Sequence, residues 1–121
     1  MNIRTIEVNG LKLAVANSPD KLISDAQTAL DFMMAVQYET GSNRIAMYKE
    51  SIAEDFFLLS SGLAGEILQK FINYHVKFAV IGDFSKYTSK PLRDFIYESN
   101  KGKDIFFVSS EDEALKKLSG V

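Results

Sequence analysis

The run Val76-Lys77-Phe78-Ala79-Val80-Ile81-Gly82 is apolar at nearly every position, and it constrains the chain more than any other stretch. A strand with one wet face alternates apolar and polar residues. A strand that is apolar throughout is buried on both faces, as at the centre of a parallel sheet covered by helices. The remaining segments must therefore supply parallel neighbours and covering helices.

They do so in a regular order. Ile3 to Val8 and Leu11 to Ala16 are apolar-alternating runs on either side of Asn9-Gly10, the dipeptide best suited to a type I′ turn, and predict an antiparallel hairpin. Ser18-Pro19 reads as an N-cap and first helical residue, with Leu22, Ala26, Leu30 and Met33 or Met34 at helical spacing, so a helix is expected from about Pro19 to Gln37. After Gly41-Ser42 comes a short strand, Arg44 to Tyr48. A connector then leads to a helix from about Ser61 to Tyr74, striped by Leu63, Ile67, Leu68, Phe71 and Ile72. Following the central strand, Thr88-Ser89 and Pro91 open a third helix that stops at Asn100-Lys101-Gly102. Ile105 to Val108 is the last strand, and Ser110 to Glu113 is a capping box starting a helix with Ala114, Leu115 and Leu118 on its apolar side. The pattern is a β-hairpin start followed by four βα units. It predicts a single α/β domain with a mostly parallel sheet, right-handed crossovers and an antiparallel strand at one edge.

At 121 residues, with 46% hydrophobic and 25% charged residues, one core suffices. The chain has no cysteine, which removes disulfides, thiolate catalysis and cysteine-ligated metals. A net charge of -2 with scattered Lys and Arg predicts no nucleic-acid partner. MNIRTIEV reads as a strand and not as an export signal, and no apolar stretch approaches membrane-span length, so no membrane association is expected and the protein is predicted to be cytoplasmic.

In open α/β sheets, ligands gather beyond the carboxyl ends of the parallel strands. Three segments fall there: Asn17-Ser18, the connector ending in Ser60-Ser61-Gly62, and Gly82-Asp83-Phe84-Ser85. Ser60, Ser61 and Gly62 support two readings, an ordinary helix cap or an anion or phosphorylation site at a helix start. Gly62 and Gly65 are read as permitting close helix–sheet packing. Asp83 suits either a turn or a ligand contact. Glu54-Asp55 and Glu111 to Glu113 read as solvated charges. His75, the one histidine, falls at a helix C-terminus, and without partners it marks neither a metal nor a catalytic site. No catalytic residue, metal or cofactor is expected. Phe56-Phe57-Leu58-Leu59 is expected to be mostly core, any exposed part forming a partner surface that Tyr87 or Tyr97 could extend.

The stretches Asp55 to Tyr74 (DFFLLSSGLAGEILQKFINY), Phe78 to Gly102 (FAVIGDFSKYTSKPLRDFIYESNKG) and Ile105 to Val108 (IFFV) resemble a bacterial family of domains of unknown function, number 4180. That resemblance covers nearly the whole chain and carries no established activity. More distantly, the order of units, LLSSGLAGEIL and the closing EDEALKKL resemble the STAS domains of anti-sigma factor antagonists. Those domains present an Asp-Ser-Ser/Thr-Gly-Leu motif whose first serine is phosphorylated to switch binding off. The resemblance implies a STAS-like fold, with Ser60 at that serine and Ser61, Gly62 and Leu63 completing the motif, while Leu59 stands where the motif carries aspartate.

Three functions are expected on these grounds. The first is a non-enzymatic regulatory module meeting a protein partner through Ser60 to Gly62 and the adjoining Phe56-Phe57 region. The second is a small-molecule binder or enzyme with Asp83, Phe84, Ser85 and Ser60 around a pocket at the strand ends. The third is a homodimer joined through an exposed edge or the apolar connector.

Overall fold

The computed structural model describes all 121 residues. Its strands are β1 (Asn2–Val8), β2 (Leu11–Asn17), β3 (Arg44–Tyr48), β4 (Lys77–Ile81) and β5 (Ile105–Val108). The helices are α1 (Ala26–Thr40), α2 (Leu63–Asn73), α3 (Lys90–Lys101) and α4 (Glu111–Ser119). The five strands lie side by side in chain order, β1 antiparallel to β2 and every later pair parallel. Asn9 and Gly10 both take positive φ, 53° and 81°, as the expected hairpin turn requires.

Stepping one strand across at each right-handed crossover keeps the crossover helices on one face. Ala14, Ile45, Phe78 and Ile105, in register across the sheet, point with Ala16, Met47, Val80 and Phe107 into a core shared with α1, α2 and α3. The alternate residues Val15, Ala46, Ala79 and Phe106 face the other way, where α4 lays Ala114 and Leu118 on them. Ala46 and Ala79 are small, which lets this single short helix sit close to the middle strands. β4 is buried on both faces, as its sequence demands. No helix is long and apolar enough to cross a membrane.

The first helix differs from expectation. Ser18 does not cap it and Leu22 is not on it. Ser18 N donates to Ser51 Oγ (3.1 Å), Ser51 Oγ donates back to Ser18 O (2.8 Å), and Ile23 bridges to Ile52 in parallel. Residues 18–24 are thus tied as a bent segment to the chain after β3, and the helix waits for Asp25. There the Asp25 side chain accepts from Thr28 N while Thr28 Oγ1 accepts from Asp25 N, a reciprocal cap. The helix then runs past Gln37 to Thr40, ended by Gly41 at φ 74°.

At the start of α4, Ser110 caps Glu113 N as expected, but the Glu113 carboxylate accepts from Ser109 N, one residue earlier than a capping box requires. The connector after β3 is three 3-10 turns, Lys49–Ser51, Glu54–Phe57 and Leu59–Ser61. At the outer edge of the sheet Asn100 of α3 pairs with β5. Its Nδ2 donates to Phe107 O (3.1 Å) and its Oδ1 accepts from Phe107 N (2.7 Å).

Candidate functional site

β3 and β4 end on the same side of the sheet, and the loops that leave them pack against each other there. After β4, Gly82 lacks the Cβ that would fall 2.8 Å from Lys49 Cβ and 2.9 Å from Lys49 Cδ. The glycine therefore makes room for the Lys49 stem to cross the strand end. Lys49 is only 7% exposed. Its Nζ lies 5.4 Å from the Phe57 ring centre and 5.3 Å from that of Tyr87, and these two rings stack 5.2 Å apart. The ammonium is held against π faces, with Glu54 Oε2 at 3.7 Å as its carboxylate neighbour.

Tyr87 closes the arrangement. Its hydroxyl donates to Glu54 Oε1 at 2.7 Å, tying the turn at 54–57 to the loop between β4 and α3. Burial, and then the Glu54 hydrogen bond, push the Tyr87 phenol well above its ordinary value. The Tyr87 hydrogen bond, reinforced by the Lys49 charge, holds Glu54 below the usual carboxylate range. Burial pulls Lys49 down, opposed by Glu54 and assisted by the repulsion of Lys86. Lys86 itself sits 5.6 Å from the Tyr87 ring. Glu54 is thus part of a network and not merely a solvated connector charge.

An open depression of about 430 Å³ lies beside this cluster, with Phe57, Leu58, Tyr87 and Leu92 on its apolar side and Glu54, Asp55 and Lys86 among its polar lining. Phe56 and Phe57 are buried, so neither presents its ring to a partner. The exposed member of that run is Leu58, at 57%. Phe84 packs inward, 5.6 Å from Phe107 and 6.0 Å from Phe57. Asp83 Oδ1 accepts from both Ser85 N (2.9 Å) and Ser85 Oγ (2.6 Å), so these two residues close a turn on each other, and the same bonds lower the Asp83 pKa.

The two serines part company. Ser61 Oγ donates to Asp55 O (3.0 Å) and accepts from Leu63 N (3.2 Å), which locks it inside the turn. Ser60 is exposed and its hydroxyl bonds to no other group of the chain. Neither serine caps α2, because Gly62 occupies that position at φ 76°. A Cβ at Gly62 or Gly65 would meet open space, so close packing explains neither glycine, and Gly62 is explained by its backbone. His75 is exposed at φ 58° just past α2.

On the opposite face of the sheet, Tyr48 builds a second cluster that the sequence does not announce. Tyr48 OH and Arg4 Nη2 both donate to Glu111 Oε2, at 2.7 and 2.6 Å. The Arg4 bond first, and Tyr48 second, hold Glu111 below its ordinary pKa. Glu111 is thus a hub and not simply a helix-start charge. Lys49 is equally silent in the sequence; the one local signal for it is a lysine directly after an apolar strand, facing a glycine directly after the next.

Residues 8–118, from the end of β1 to the last turn of α4, match the family described as "Domain of unknown function (DUF4180)". The chain belongs to that family. This DUF4180 domain is also similar to a solved structure from Thermotoga maritima of a protein proposed to be an anti-sigma factor antagonist. The two share 15% identity over 97% of this chain and 94% of that one, with a TM-score of 0.48. No curated protein matches the DUF4180 sequence.

Proposed function

We propose that this domain is a non-enzymatic regulatory module that meets a protein partner through the turn from Glu54 to Ser61, with Ser60 as the position where phosphorylation switches binding off. The observation that carries the reading is the division of labour within that turn. Phe56 and Phe57 are buried and the Ser61 hydroxyl is bonded within the turn, while Leu58 and the Ser60 hydroxyl stand free in solvent. The turn is pinned through Glu54 and Tyr87, so these outward groups are presented from a fixed backbone and little ordering entropy is lost on binding. A phosphate on Ser60 adds nearly two negative charges to a turn that already carries Glu54 and Asp55, which repels an acidic partner surface and places a strongly hydrated group at the interface. The sequence resemblance of Ser60-Ser61-Gly62-Leu63 to the STAS motif supports the same position.

The test is site-specific photo-crosslinking in cells from position 58 and, as a control, from Tyr97 on α3. Position 58 should trap one protein that position 97 does not. Binding of that protein, measured with purified components, should fall at least tenfold for Leu58→Asp and for Ser60→Asp. Unchanged affinity in Leu58→Asp would reject this surface; a loss there with Ser60→Asp unaffected would reject the switch alone.

A second reading draws on the depression beside Tyr87. Its Tyr87 side and the Lys86 ammonium, which forms no salt bridge, suit a small anionic aromatic molecule. Thermal shifts with such compounds, abolished by Lys86→Ala, would favour it over protein binding.

A further inference from the structure

The two edges of the sheet are treated differently. At β5 the outward N–H and C=O of Phe107 are both taken by the Asn100 side chain, and Ile105, the other outward-facing residue, is buried. At β1 nothing corresponds. The two-residue turn makes Val8 and Leu11 a hydrogen-bonded pair, and alternation along the ladder gives the same status to Ile6–Leu13, Arg4–Val15 and Asn2–Asn17. Ile3, Thr5 and Glu7 therefore turn their backbone groups outward, and no backbone or side-chain bond from elsewhere in the chain reaches them. An open edge of this length is a template for another strand.

We propose that a second copy of this chain occupies this edge, β1 pairing with its own counterpart antiparallel about a two-fold axis at Thr5, to give a continuous ten-stranded sheet. The strand is self-complementary in that register. Thr5 faces the partner's Thr5 and Ile3 faces the partner's Glu7, so all three outward residues bond and no like charges stand opposite. Shifting the axis to Arg4 sets two arginines against each other, which is unfavourable. Shifting it to Ile6 sets Ile3 against Asn9, a turn residue at φ 53° that cannot continue a ladder. Arg4 is drawn sideways by Glu111, which neutralises the one cation that would otherwise guard this edge. The interface is independent of the turn around Ser60. It is small, so the dimer dissociates on dilution.

Sedimentation of the full chain over a concentration series should show a species of twice the 13.5 kDa chain mass appearing at the high end. Thr5→Pro deletes an outward N–H that the monomer does not use, and should abolish that species while leaving the circular dichroism spectrum unchanged. Because the chain has no cysteine, Thr5→Cys introduces a single thiol. Its counterpart across the axis would lie about 5.5 Å away between Cα atoms, within disulfide range. Oxidation should therefore cross-link Thr5→Cys at least tenfold faster than Tyr38→Cys, although position 38 on α1 is 95% exposed. Ile3→Cys alone should not cross-link, but should do so when mixed with Glu7→Cys. A chain that stays monomeric at every concentration, a dimer that survives Thr5→Pro, or equal cross-linking at positions 5 and 38 would each overturn the proposal.

Discussion

Tyr48 and Lys49 are neighbours in sequence and point to opposite faces of the sheet, where each joins a cluster in which a tyrosine, a glutamate and a cation meet. In both, a tyrosine hydroxyl donates to a glutamate oxygen at 2.7 Å. The cations differ. Arg4 meets Glu111 at 2.6 Å with its side chain 50% exposed, as an ordinary hydrogen-bonded surface pair. Lys49 is buried, 3.7 Å from Glu54, and leans on the faces of Phe57 and Tyr87. A tyrosine, a glutamate and a cation thus give a solvated ion pair on one side and an aromatic cage on the other. What separates them is whether apolar groups surround the charge, since water weakens the first and is largely excluded from the second.

The largest expected contrast comes from removing what is special to each. Phe57→Ala takes away a buried ring and one wall of the cage, and should cost about 3–5 kcal/mol in urea unfolding. Arg4→Ala should cost under about 1 kcal/mol, as exposed pairs do. Similar costs would erase the distinction.

Next in size is Gly82→Ala. The new methyl meets Lys49 at Cβ, which the backbone fixes, as well as at Cδ, so the strand end or the stem must shift. A loss of about 1–3 kcal/mol is expected from thermal unfolding.

Tyr87→Phe and Tyr48→Phe should each cost about 1 kcal/mol. Their sharper difference is in carboxyl titration followed by NMR. The largest influence on Glu54 is Tyr87, so Tyr87→Phe should return most of its pKa toward the ordinary value. Arg4 remains for Glu111, so Tyr48→Phe should return less.

The smallest effects are those of pH and salt. Glu54 and Glu111 are both held below their unfolded values, so each adds stability that is complete above about pH 5 and lost as pH falls through the folded pKa. Lys49 is lowered, so its penalty is present in full at neutral pH and is relieved as pH rises through its folded value toward the unfolded one. Lys49→Met should accordingly be at least as stable as wild type at pH 7, and its margin should shrink in alkali. Added salt should remove most of the Arg4→Ala effect and little of the Phe57→Ala effect.

Much of the architecture was legible from the chain itself. Arg44 to Tyr48 and Ile105 to Val108 are strands with the expected ends, and the hairpin turns at Asn9-Gly10. Each is announced by residues lying within it. The start of α1 was not legible, because Ser18-Pro19 has the composition of a cap and only Ser51, 33 residues away, pulls Ser18 into another structure. The site was legible only as a place. Asp83 and Ser85 behave as a turn, which their spacing allowed, whereas the choice between Ser60 and Ser61 depended on the carbonyl of Asp55.

The sequence by itself determined the order of strands and helices, the burial of β4 on both faces and the antiparallel hairpin, since periodicity and turn chemistry act over a few residues. Only the tertiary structure decided that Lys49 is caged, that Ser60 is the free serine, and that one sheet edge is capped at Phe107 by Asn100 while the other stays open. Those outcomes depend on groups from segments far apart in the chain, and no local pattern encodes which of them will meet.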